Sequence, residues 1–391
     1  MKFLHLGDLH IGKTLGEFDL IVDQEYIFKQ VLEAIELKKV DVVLIAGDVY
    51  DRAIPSEAAV NLFDRFLNGL AQRGVKTFII SGNHDSDDRL NFGSSLFETN
   101  GIYICGVYDG TLYHRTITDE YGPVNIYMLP FVKASQVRHF FPKEKIDTYD
   151  DAVRVVIEHA GIDNTERNIL VAHQFVTGDG KDPELSGSEG GSASNVGTIE
   201  KISYTCFEPF DYVALGHLHS AQQVGRESIR YSGSPLKYSL SEVNHTKSAT
   251  AVTMGEKGAL SMELMPLVPM RNLRHIKGTI EKLLSKEVLE LPENREAAND
   301  FIYVTLTNED VVDDAMGIFQ QVYPNTVKID YDNTHTRQLD EVEIELLPGQ
   351  MTFGELIGEF YRQVYGVEIS QEESEIMKEV AKEAGIQYET D

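Results

Sequence analysis

The 391-residue chain is 42% hydrophobic and 25% charged, the composition of an ordinary globular protein with room for two or three domains. Its 63 acidic residues against 35 Lys and Arg leave a net charge of −28, which argues against unaided binding of nucleic acid, since polyanion affinity rests on Lys and Arg. No apolar run approaches the ~20 residues of a membrane span and no secretory leader precedes the first strand, so a cytoplasmic protein without a membrane anchor is expected; Cys105 and Cys206 read as buried free thiols.

In chain order, Met1–Leu6 is an apolar, strand-like run ending in Gly7-Asp8-Leu9-His10. Glu25–Leu37 carries a helical stripe of Ile27, Val31, Leu32 and Ile35. Val40–Ala46 is continuously apolar, as in a strand buried on both faces, and ends in Gly47-Asp48. Ser56, after Pro55, is placed to cap a helix through Leu70, with Val60, Leu62, Phe63, Phe66 and Leu67 on its apolar face. Val75–Ser81 is a third strand, running into Gly82-Asn83-His84-Asp85. Asn168–Ala172 leads to His173, and Tyr212–Leu215 leads to Gly216-His217-Leu218-His219. Between these last two lies Gly178–Gly197, nearly free of apolar residues, which reads as a loop close to a ligand strand.

From Arg271 the rhythm changes. Leu273–Lys277, Phe301–Thr307 and Thr326–Tyr331 read as strands, and Thr279–Leu284 and Val311–Tyr323 as helices, giving a small separate βαβαβ unit. Two capping-box patterns, Thr352-Phe-Gly-Glu355 and Ser370-Gln-Glu-Glu373, open two short amphipathic helices, with Leu356, Ile357, Phe360, Tyr361 and Val364 on the first and Ile376, Val380, Ala381 and Ala384 on the second. The acidity concentrates here: residues 339–391 hold 14 Asp or Glu against 3 Lys or Arg. The expected organisation is an α/β sandwich of two sheets between helices over 1–270, a small α+β capping domain over 271–340, and a helical partner-binding segment over 350–391.

Five apolar strands that end in Asp, Asn or His deliver two carboxylates, one amide oxygen and five imidazoles to one edge of a sheet. One tetrahedral ion needs about four ligands. Seven ligands with a shared carboxylate suit two ions roughly 3.5–4 Å apart, the arrangement that hydrolyses phosphate esters. Asp48 is the natural bridge, since an anion between two dications relieves their repulsion. Asp8 and His10, like His217 and His219, are two residues apart and on ideal strands would face the same way. The mixture of oxygen and imidazole donors tilts towards Mn2+. His84, adjacent to Asn83, suits general-acid work on the leaving oxygen, with Asp85 as an orienting partner of its ring. His5, His114, His139, His159, His245, His275 and His335 lack such a context and are expected to be ordinary structural residues.

These motifs resemble the calcineurin-like metallophosphoesterase superfamily, whose fold is a four-layer sandwich. Within it, the runs Lys2–Gly12, Arg89–Phe97, Phe210–His219 and Tyr231–Leu236 are similar to the bacterial SbcD family of double-strand-break repair nucleases. The resemblance implies Asp8, His10, Asp48 and His219 on one metal and Asp48, Asn83, His173 and His217 on the other, with His84 at the leaving group. It further implies Mn2+-dependent 3′→5′ double-strand exonuclease and single-strand or hairpin endonuclease activity in DNA repair, recombination and replication. The implied assembly is a homodimer of the nuclease with an SbcC-type coiled-coil ATPase, a heterotetramer whose ATPase could supply the basic surface this chain lacks. Where some family members have a histidine three residues after the bridging aspartate, this chain has Asp51, followed by Arg52; both are candidates for the phosphate side of the site. Asp48-Val-Tyr-Asp51-Arg52 is also similar to the corresponding run of phosphoprotein phosphatases, which leaves a protein phosphatase or a cyclic-nucleotide phosphodiesterase as the alternative enzyme and a metal-free scaffold as the non-enzymatic one.

Overall fold

The computed structural model describes residues 1–178, 182–185, 200–334, 336, 353, 354, 356–358, 361 and 369–383. Most of the Gly178–Gly197 segment and most of the first C-terminal helix expected from the sequence lie outside these residues. The chain divides into two compact units, Met1–Arg274 with Asn299–Phe301, and His275–Ala298 with Ile302–Asp391.

Twelve strands build the two main sheets: β1 Lys2–Leu6, β2 Val42–Ala46, β3 Lys76–Ile80, β4 Ile102–Cys105, β5 Tyr113–Asp119, β6 Gly122–Leu129, β7 Arg167–His173, β8 Tyr212–Gly216, β9 Gln222–Val224, β10 Arg226–Tyr231, β11 Ser248–Met254 and β12 Leu260–Pro266. One sheet has the order β12-β11-β1-β2-β3-β4 and the other β9-β10-β8-β7-β6-β5. Each contains four mutually parallel strands, β1 to β4 in the first and β10, β8, β7 and β6 in the second, flanked by antiparallel ones. Parallel strands need both faces covered, and the sequence of β2 shows it: all five residues of Val42–Ala46 are buried.

Val42, Leu44 and Ala46 face a shared core with Phe3, Phe78, Ile80, Ile126, Met128, Val171, Tyr212 and Ala214, drawn from both sheets. Helices α1 Ile21–Lys38 and α2 Glu57–Gln72 pack on each other through stacked Phe28 and Phe66, 4.4 Å between ring centroids. Ser56 caps α2, its side chain accepting from Ala59 N–H at 3.2 Å. The second sheet buries its other face against α3 Tyr149–Glu158, through Ala152, Val153 and Val156 with Leu170, Val213 and Ile229.

In the second unit, β13 Leu273–Gly278, β14 Phe301–Leu306 and β15 Thr326–Tyr331 form a three-stranded sheet with β14 and β15 parallel. Its core contains Ile280, Leu283, Ile302, Val304, Leu306 and Phe319. The helix expected over Val311–Tyr323 is shorter, Ala315–Gln320, because the Asp314 side chain accepts from Gly317 N–H and starts the helix there, leaving Val311 exposed. The second capping box forms as expected: Ser370 Oγ accepts from Glu373 N–H and the Glu373 carboxylate from Ser370 N–H, opening α4 Gln371–Glu383. Among the described residues, no helix is long and apolar enough to cross a membrane.

Candidate metal centre

The ligand-bearing runs sit at the C-terminal ends of parallel strands, where α/β sheets place their sites. The turns that carry them are tight. Asp8, His10, Asp48 and His217 have φ of 52°, 42°, 47° and 104°, the left-handed region that β-carbons disfavour. Of the six non-glycine residues with positive φ among those described, four are therefore expected ligands. Such backbone costs about 1–3 kcal/mol per residue and is sustained by surrounding contacts. This corrects the strand geometry expected for Asp8 with His10 and for His217 with His219. Both pairs lie beyond the ends of β1 and β8, and left-handed turns rather than strand alternation aim them inward.

Glycines before the ligands let the strand ends approach. A β-carbon on Gly82 would fall 2.1 Å from Asp48 Oδ1, and one on Gly216 would fall 1.8 Å from the Ala46 carbonyl oxygen. Neither distance is compatible with a side chain.

All seven expected ligands converge. His10 Nε2 lies 3.1 Å from His219 Nε2, and the donor atoms of Asp8, His10 and His219 lie within 4.8 Å of one another. Asn83 Oδ1 lies 3.0 Å from both His173 Nε2 and His217 Nδ1. Asp48 Oδ2 stands between the two groups, 3.6 Å from His10 Nε2 and 3.3 Å from His173 Nε2. Its other oxygen accepts from His84 N–H at 2.9 Å. Two of the rings are turned by a partner on the far side. His173 Nδ1 donates to the Ala46 carbonyl at 2.8 Å, and His219 Nδ1 faces Glu242 Oε1 at 3.2 Å, so both present Nε2 to the centre. The Asp8 carboxylate accepts from His217 N–H through Oδ1, while its Oδ2 is buried with no hydrogen-bond partner, as is His10 Nδ1. A buried orphan carboxylate oxygen among imidazole nitrogens and an amide oxygen is the donor set of a divalent cation, and the residues fit two such ions.

The electrostatics agree. Burial pushes the Asp8 carboxyl up to about 7, against the pull of His173 and His219. Burial also opposes ionisation of Asp48, but the imidazoles of His173, His10 and His84 outweigh it and hold that carboxyl well below its usual range. His173 is raised to about 9, its burial outweighed by Asp48, whereas burial takes His217 down to about 3 and His10 well below its ordinary value. Without cations the cluster keeps protons on His173 and, below neutral pH, on Asp8.

His84 stands at the edge of this cluster, half-buried, its Nδ1 donating to the Asp51 carbonyl at 3.0 Å and its ring 4.8 Å from that of His10. Nε2 is the nitrogen left to act. Asp85 does not orient that ring, contrary to expectation. Its carboxylate accepts instead from the N–H groups of Val49, Tyr50 and Gly82 at 2.9–3.0 Å, tying the Asp48 turn to the Asn83 turn. Asp51 pairs with Lys13 Nζ at 2.8 Å, and Arg52 is largely exposed beside it. His5 is the satisfied core histidine expected, bonded to Tyr212 Oη and the Leu215 carbonyl, and burial lowers it to about 3. The two thiols are half-buried and free, each pushed up to about 12 by burial, and Cys206 lies on the Asp150 carboxylate rather than in a purely apolar setting.

Sequence reasoning passed over the supports. Glu242, fully buried, is held by Lys247 and by Ser234 Oγ, and Lys247 also donates to the His219 carbonyl at 2.9 Å. Gln24 and Tyr238 hold the Leu9–His10 turn through its carbonyls. No local pattern marks these residues; only the fold brings them to the ligands.

Residues 1–221 match the family model of the calcineurin-like phosphoesterases, and residues 269–365 match a model described as the type 5 capsule protein repressor C-terminal domain. The chain is 34% identical over 386 residues to the SbcD polypeptide of the nuclease SbcCD from Staphylococcus epidermidis, covering 97% of each chain. It belongs to the SbcD nuclease family. Among solved structures, a dimetal phosphatase from Danio rerio aligns with a TM-score of 0.39 at 11% identity, over 68% of this chain and 96% of that one. Phosphopantetheinyl hydrolase from Mycobacterium tuberculosis aligns with a TM-score of 0.33 at 15% identity, over 60% and 88%. This SbcD-family nuclease is a metal-dependent hydrolase with the sandwich fold expected of it.

Proposed function

We propose that the chain is a two-metal DNA nuclease that works as a 3′→5′ exonuclease on duplex ends and an endonuclease on single strands and hairpins, in complex with an SbcC-type ATPase and under control of ATP. The observation that carries the reading is the placement of Asp48 Oδ2 between two sets of convergent donors, Asp8, His10 and His219 on one side and Asn83, His173 and His217 on the other. Two divalent ions held there, Mn2+ by the donor mixture, would supply a nucleophile near neutral pH and neutralise the phosphoryl charge. The chain's own part is to hold the donors turned inward, through Ala46, Glu242 and the left-handed turns, and to present His84 Nε2 where a leaving oxygen takes up a proton.

Assembly follows the same family. The short helices Asp87–Asn91 and Ser94–Phe97, directly after the Asn83-His84 turn, leave Phe92 and Leu96 84% and 74% exposed, an apolar surface suited to self-association into a homodimer. On α4, Ile376 and Val380 are likewise exposed, a stripe that a coiled coil of the ATPase would cover. A basic partner surface also answers the −28 charge.

The test is cleavage of end-labelled duplex, single-stranded and hairpin DNA by the purified chain with Mn2+ or Mg2+, alone and with the ATPase partner and ATP. The reading expects single-strand cutting by the chain alone and processive duplex degradation only with the ATPase. Hydrolysis confined to phosphoprotein or cyclic nucleotide would assign the site to the alternative class.

A further inference from the structure

Beside the metal centre lies a cavity of about 300 Å³ that the hydrolytic chemistry does not use. Asn83 and His217 form one wall, so a phosphate at the centre would place its neighbouring substituent at the cavity mouth. The other walls are flat and aromatic. Phe131 lies 6.4 Å from the Tyr149 ring and 6.3 Å from that of His173, and Phe175 lies 6.2 Å from the His217 ring. Phe131, Tyr149 and Phe175 therefore continue the aromatic lining begun by the ligand imidazoles. The cavity's polar groups are mixed: the Glu200 carboxylate, the Tyr149 hydroxyl, the Asn83 amide, and buried Gln174, whose Nε2 donates to the Val132 carbonyl. Its cation, Lys133, is exposed.

From this geometry we infer that the cavity formed by Phe131, Tyr149 and Phe175 is a nucleobase subsite, which takes a base flanking the scissile phosphate. A base has two apolar π-faces, which aromatic side chains bind whatever the sequence, and an edge of donors and acceptors. The Glu200 carboxylate can accept from an amine on that edge, and the Tyr149 hydroxyl can meet a donor or an acceptor. Lys133 answers the charge of the adjoining backbone phosphate. The inference rests on the nuclease reading, and it adds that the enzyme grips the base as well as the phosphodiester.

The test uses the full-length, Mn2+-loaded protein and single-stranded oligonucleotides with one cleavable phosphodiester among methylphosphonate linkages, carrying an abasic residue directly 5′ or directly 3′ of that phosphodiester. One of the two should raise KM by about 5- to 150-fold over the intact oligonucleotide, the weight of one stacked base, with little change in kcat. A Phe131→Leu/Tyr149→Leu variant should lose that discrimination while keeping its turnover of the abasic substrate and its metal content. Independently of turnover, an oligonucleotide with 2-aminopurine at the same position should lose fluorescence on binding the native protein and not the variant. Equal KM for both abasic substrates and the intact one, or unchanged 2-aminopurine emission, would overturn the subsite while leaving the nuclease reading standing. Failure to cut any oligonucleotide by a protein with two bound Mn2+ would instead overturn the nuclease reading and the subsite with it.

Discussion

At the scale of single residues, the centre is a buried set of donors gathered around Asp48. Replacing Asp48 by Asn removes the anionic atom lying between His10 and His173. Metal analysis should then find fewer than two ions per chain, with hydrolysis reduced by orders of magnitude; two retained ions with full activity would refute the bridge. His84→Ala should keep both ions and lower the rate by roughly 10²–10⁴, the weight of a general acid. Its nearness to His10 and Asp48 makes metal content the deciding measurement, since loss of an ion would make His84 a ligand. Glu242→Gln should weaken metal binding by about 10–100-fold, because His219 loses the carboxylate that orients it and Lys247 loses its counter-charge. Binding itself should depend on pH. Asp8 is raised to about 7 and His173 to about 9, so below these values an incoming ion must displace their protons. Affinity measured by calorimetry should therefore rise from pH 6 to pH 9, with protons released to the buffer from His173 below about pH 9 and additionally from Asp8 below about pH 7; a flat profile would contradict both assignments.

At the scale of elements, what matters is how strand ends are held together. Asp85 accepts three backbone N–H groups from the turns after β2 and β3, and burial raises its carboxyl to about 6 with help from the Asp48 charge. Asp85→Ala would strand three donors in a buried site. It should cost about 2–4 kcal/mol of stability by denaturant titration and weaken metal binding, because Asp48 and Asn83 would no longer share a clamp. An Asp85→Ala protein of native stability would show that water replaces the carboxylate.

For the whole molecule, the acidic C-terminal segment decides between self-docking and partner binding. Exposed Ile376 and Val380 on α4 suit a docking role. Deleting residues 350–391 should leave the melting temperature and the Mn2+-dependent cutting of single-stranded DNA unchanged, yet abolish co-purification with the ATPase. A truncation that still binds the ATPase with unchanged affinity would place the grip elsewhere, and a lowered melting temperature would make the helices part of the fold.

Apolar runs ending in Gly-Asp, Gly-Asn-His and Gly-His-x-His were enough to read five strands, the donors gathered at their ends and a metal-dependent hydrolase, because strand burial and donor type are local properties of a sequence. The N-cap at Ser56 and the box at Ser370 were legible for the same reason: both are hydrogen bonds within one turn. The left-handed turns at Asp8, His10, Asp48 and His217 were not, since only the packing of two sheets face to face forces those conformations on residues that disfavour them. Nor were Asp85 as a clamp on Val49 and Tyr50, Glu242 behind His219, or the aromatic cavity beside His217. Each joins residues from separate stretches of chain, and such partners are chosen by where the folded chain brings them rather than by any neighbour in sequence.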